Sequence, residues 1–142
     1  MIKAFSLVTI TAGAFVLSAC STAGPARTPS GKAKGLQGDE WSVEDIGGRG
    51  IMDGSRVTLL FGSAGELAGS ATCNRLVGTY ALADNTLSIS PTGLTRMACP
   101  PALMDQERRF VNLLRHVRRF HVDGTGALVL ETSAGDKIIA RR

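Results

Sequence analysis

Aromatic side chains are scarce in this chain: one Trp, one Tyr and five Phe make up 5% of its 142 residues. That argues against a core of stacked rings and leaves Leu, Val, Ile and Ala to fill the interior. Long apolar runs are scarce too. The extended one, Ala4 to Leu17, has 14 residues, short of the roughly 20 that a bilayer-spanning helix needs. Cysteine occurs three times, never as C-x-x-C, and no serine sits in a Gly-x-Ser-x-Gly turn. A paired-thiol redox motif and a nucleophile elbow are therefore both missing. Excess charge is lacking as well once position is considered. The formal net charge is +4, but Lys3, Arg27, Lys32 and Lys34 all precede Leu36. Beyond that point 12 Lys and Arg face 12 Asp and Glu, so the folded part is formally neutral and nucleic acid is not an expected partner.

The N-terminal residues explain where the basic charge belongs. MIKAFSLVTITAGAFVLSAC has a basic start at Lys3, an apolar stretch and small residues before Cys20, the layout of a secretory signal. LSAC resembles the bacterial lipobox, in which cleavage just before the cysteine leaves a thiol that carries a diacylglyceryl group. Residues 1–19 are thus expected to be a lipoprotein signal peptide, with Cys20 lipidated. Ser21 to Gly35 is rich in Ser, Thr, Gly, Pro and Ala, holds no large apolar residue and reads as a flexible tether. Ser21 rather than Asp after the cysteine points to the periplasmic face of the outer membrane. The folded domain is expected over residues 36–142, as a monomer without a cofactor.

Along that domain the apolar spacing changes once. Trp41, Val43 and Ile46 offer a first strand, RVTLLF a second with Val57, Leu59 and Phe61 on one face, ELAGSA a weaker third, and VGTYALA a fourth. TLSIS follows after Asp84-Asn85, a tight hairpin signal. After Pro91 the period becomes helical: Leu103, Phe110, Leu113, Leu114 and Val117 define an amphipathic helix of roughly four turns. Pro100 and Pro101 suit its start, and Asp105 and Glu107 read as charges near its positive end. FHV, ALVLE and KIIA are short strands separated by turn residues. The sum is an α+β domain, a small curved antiparallel sheet or barrel with one helix inserted before the last three strands.

With Cys20 set aside, Cys73 and Cys99 form an even pair in an exported protein, and a structural disulfide is the expected state. A redox pair and a zinc site with His116 or His121 are the weaker alternatives. Asp105 and Glu107 lie two apart on the helix and point in different directions, which disfavours a paired-carboxylate acid/base site. Arg108, Asn112, Arg115 and Arg119 fall along one helical face. That stripe is either a solvated surface or a docking face for an acidic partner, lipopolysaccharide phosphates or lipid head groups.

The run ATCNRLVGTYAL, then LTRMACPPALMDQERRFVNLL and VDGTGALVLE, resembles the META domain, also called the heat-shock protein HslJ-like family. The motif positions are Cys73, Asn74, Gly78, Tyr80, Thr95, Met97, Ala98, Cys99, Pro100, Glu107 and Phe110, with Trp41 near the domain start. Thr72 departs from the pattern, which commonly has Gly there. The resemblance implies a secreted or lipid-anchored envelope protein linked to stress or drug tolerance, without an assigned reaction. No catalytic or metal-binding residue is expected. The leading reading is a non-enzymatic lipoprotein that binds a protein or lipid component of the envelope. The alternative is a small-barrel carrier or pilot holding an apolar ligand or acyl chain.

Overall fold

The computed structural model describes residues 35–83 and 86–142. Cys20, the leader and the tether up to Lys34 lie outside the described residues, as does the Asp84-Asn85 turn. Eight strands and one helix follow in order: β1 (Trp41–Ile46), β2 (Arg56–Phe61), β3 (Glu66–Thr72), β4 (Arg75–Ala83), β5 (Thr86–Leu94), α1 (Pro101–His116), β6 (Val117–Val122), β7 (Leu128–Thr132) and β8 (Lys137–Arg141). All strand pairs are antiparallel, in the order β5-β4-β3-β2-β1-β8-β7-β6. The edge strands β5 and β6 lie beside one another, so the sheet curls into a nearly closed barrel. This is the architecture the sequence predicts, with the helix before the last three strands.

α1 joins the two edges of that sheet and packs on β5, β3, β1 and β7. Alternate strands of an antiparallel sheet end on the same side, so the helix lies across one mouth of the barrel. Phe110, Val111 and Leu114 are its buried apolar residues. They meet an interior filled by Trp41, Phe61, Leu59, Leu76, Leu128 and their neighbours. Strand alternation supplies those residues: Val57, Leu59 and Phe61 are at most 1% exposed while Leu60 is 39% exposed. Trp41 also closes the start of the domain. Its indole N–H donates to the Leu36 carbonyl at 2.8 Å, and the Arg142 guanidinium lies 4.3 Å from the ring centroid.

Two local irregularities explain where simple alternation fails. In β1 a bulge between Val43 and Asp45 inserts one residue, which returns Ile46 to the inner face. In β5 the strand does not stop at Pro91 but continues to Leu94, with a register shift opposite Val77 and Gly78. β5 pairs only with β4 among the described residues, and an edge strand tolerates a proline that cannot donate to a ladder. Gly78 sits at the shift, where a Cβ would come 2.5 Å from the Ser90 carbonyl oxygen. Only glycine lets the two backbones approach so closely there.

Candidate functional site

The motif residues converge beside the mouth that α1 covers, and their centre is Asn74. Cys73 and Cys99 form a disulfide with their Cα atoms 6.4 Å apart, clamping the β3–β4 turn to the segment before the helix. Next to it Asn74 is 2% exposed. Its backbone N–H donates to Glu107 Oε2 and its side-chain amide donates to Glu107 Oε1, both at 2.9 Å. The Asn74 Oδ1 accepts from the Thr95 hydroxyl at 3.0 Å and from the Met97 backbone N–H at 2.7 Å. Thr95 Oγ1 in turn accepts from the Arg75 N–H at 3.0 Å. One asparagine thus ties together the helix, the turn and the chain that precedes the helix.

Glu107 corrects the reading of it as a helix-start charge. α1 has no acidic residue in its first turn, and Glu107 is 5% exposed, on the face that packs inward. A buried carboxylate is tolerated only when hydrogen-bonded, and both oxygens here face N–H donors. Gln106, which the sequence reading passed over, is its companion. The Gln106 side-chain amide donates to Ser55 Oγ and Thr72 Oγ1, each at 3.0 Å, and its Oε1 accepts from the Met52 N–H at 2.8 Å. Thr72 has φ of 109°, a left-handed conformation that L side chains disfavour and that glycine adopts freely. The family-pattern glycine it replaces therefore answers a backbone need.

Tyr80 and Pro100 have structural partners too. The Tyr80 hydroxyl donates to the Gly62 carbonyl at 2.6 Å and accepts from the Gln37 amide at 2.7 Å, while its ring meets Phe61 edge-on at 5.1 Å between centroids. Pro100 precedes the first helical residue, and its carbonyl accepts from the Leu103 and Met104 N–H groups. Met97 differs, being 61% exposed.

The arginines do not form the continuous stripe expected. Arg108, Asn112 and Arg115 stay together on α1, but the helix ends at His116 and Arg119 stands on β6, 3.7 Å from Glu131. Helical spacing carried past the last turn overestimates the stripe by one member. Arg108 pairs with Asp105, and the His116 ring faces the Asn112 carbonyl at 2.8 Å. The disulfide occupies both sulfurs that a zinc site would have used.

Alongside this hub run two adjoining hollows between α1 and the end of β5. One, of about 350 Å³, is bounded by Leu94, Val111, Arg108, Asn112 and Arg115; the other, of about 550 Å³, by Thr95, Arg96, Met97 and Met104; Leu94 and Glu107 border both. Their size is that of a small-molecule site, roughly 300–1,000 Å³.

Comparison with known proteins agrees with the fold. The fold is similar to an NMR structure of a protein from Burkholderia xenovorans, 27% identical, with a TM-score of 0.61 over 89% of this chain and 98% of that one. A second NMR structure, 24% identical with a TM-score of 0.54 over 71% of this chain and 86% of that one, shares the fold. Among curated proteins no relative matches. The META domain model matches residues 34–142, which takes in every strand, the helix and the whole Asn74–Glu107 hub, and the chain belongs to the META domain family.

Proposed function

We propose that this META-domain protein is a non-enzymatic lipoprotein, anchored through Cys20 at the periplasmic face of the outer membrane, that binds a protein or lipid component of the envelope in stress tolerance. The observation that carries the reading is how the polar motif residues are used. Glu107, Asn74, Thr95 and Tyr80 direct their functional groups at one another or at the backbone, which suits holding a fold better than activating a substrate. LSAC and the tether supply the anchor, and the outward-facing arginines and groove supply a surface for binding.

Fractionation tests the anchor. Cys20→Ala is expected to abolish acylation and signal processing at that site and to release the protein from its normal membrane fraction. A Cys20→Ala protein that is normally processed and fully membrane-associated would overturn the proposal. The carrier reading changes form: Trp41, Phe61 and Phe110 fill the barrel interior, so an apolar ligand is better accommodated at the α1–β5 groove than inside the sheet.

A further inference from the structure

The groove between α1 and β5 remains unexplained once the hub is accounted for. Its apolar lining is Leu94 and Val111 in one half and Met97 and Met104 in the other. Its cationic lining is Arg108 and Arg115 in the first half and Arg96 in the second. Among the described residues no carboxylate pairs with Arg96 or Arg115, and the pair that Arg108 makes with Asp105 is solvent-exposed and well screened. Glu107 is the carboxylate of the lining, and Asn74 holds both of its oxygens. Asn112 lies between the two helix arginines on the same face and adds an amide.

We infer that this groove binds one anionic phospholipid, its phosphate held by Arg108 and Arg115 and the first part of an acyl chain lying over Leu94 and Val111. Guanidinium forks match phosphate oxygens in pairs, which an ammonium does not. An acidic peptide would spread several carboxylates along the groove and leave its apolar lining uncovered. An amphiphile presents one anionic head and one apolar chain, the same division the groove shows. The inference rests on the binding reading above and names the component that is bound.

The test uses full-length protein in phosphatidylcholine nanodiscs supplemented with phosphatidylglycerol that carries a photoactivatable diazirine in one acyl chain. After illumination, adducts mapped by mass spectrometry are expected to concentrate between residues 94 and 115. Arg108→Gln combined with Arg115→Gln is expected to lower their yield about tenfold or more, because charge-assisted bonds to the phosphate are lost. Both side chains are exposed, so the variant is expected to keep the wild-type melting temperature. Equal labelling by diazirine phosphatidylcholine, indifference to the double substitution, or displacement by inorganic phosphate alone would each overturn the inference. So would adducts displaced by a captured acidic protein. Nanodiscs bring the protein to a bilayer whatever its native anchor, so failed labelling leaves the Cys20 reading standing, and a failed Cys20 test leaves the labelling result standing.

Discussion

Asn74 engages its backbone N–H, its backbone carbonyl and both ends of its amide, which makes the Asn74–Glu107 contact the most exposed to single-residue change. Glu107→Gln keeps the shape but turns an N–H donor toward an Asn74 donor, and is expected to cost about 2 kcal/mol in urea denaturation. A double-mutant cycle with Asn74→Ala and Glu107→Ala should return a coupling of at least about 1 kcal/mol, and additive effects would show that the contact contributes nothing. Thr72 permits a cleaner test of backbone strain. Thr72→Gly and Thr72→Ala both lose the hydroxyl that Gln106 uses, so the glycine variant should be the more stable of the two by about 1 kcal/mol if the φ of 109° is strained. Glu40 gives a pH signature: hydrogen bonds from Arg56 and Thr58 lower its pKa below the ordinary 4.5. A lowered folded value means stability present above that range and lost as pH falls through the folded value, so Glu40→Gln should flatten the acid limb of the stability curve. At this scale the sequence was partly legible. Leu103, Glu107, Phe110 and Leu114 follow the helical spacing of one face, so position 107 lay on the apolar stripe. A carboxylate close to a helix start has the same local sequence signature as a dipole charge, and only its burial tells the two apart.

At the scale of elements, regular periodicity was readable and its interruptions were not. Alternation located β2 and the start of β5, turn residues separated the three short strands after the helix, and the helical period located α1 from its proline start. The bulge in β1 is set by β8, which lies far away in sequence, and the register shift in β5 arises inside the β4–β5 hairpin where Gly78 meets Pro91, so simple alternation announces neither. Pro91 looked like the end of a strand because proline removes a ladder donor, yet on an edge strand that donor has no partner to lose. Gly78 is the element-scale test. Gly78→Ala pushes a Cβ against β5 at the shift and is expected to destabilise the domain by about 1–3 kcal/mol. Thermal melts check it, and the same substitution at Gly124, where a Cβ meets nothing within 4 Å, should be nearly neutral.

For the molecule as a whole, the disulfide closes a separation of 26 residues across the hub. Replacing Cys73 and Cys99 with Ser should lower stability by about 3 kcal/mol in the chain-entropy account, read from denaturation of oxidised wild type against the double variant. The fold class and the pairing of these cysteines were legible because few alternatives existed for an even pair in a single small domain. The groove was not legible, since β5 and α1 enclose it only after the sheet has curled. The strand order also says how the domain bears tension. β1 follows directly on the buried Leu36 and is paired on both sides, with β2 and β8, whereas β5 and β6 each hold one neighbour. A pull arriving from the N-terminal side therefore loads a strand gripped by two ladders at once, and both must slide before it tears free. Under such a load β1 is held along both of its edges, whereas the β5–β6 seam has no ladder among the described residues.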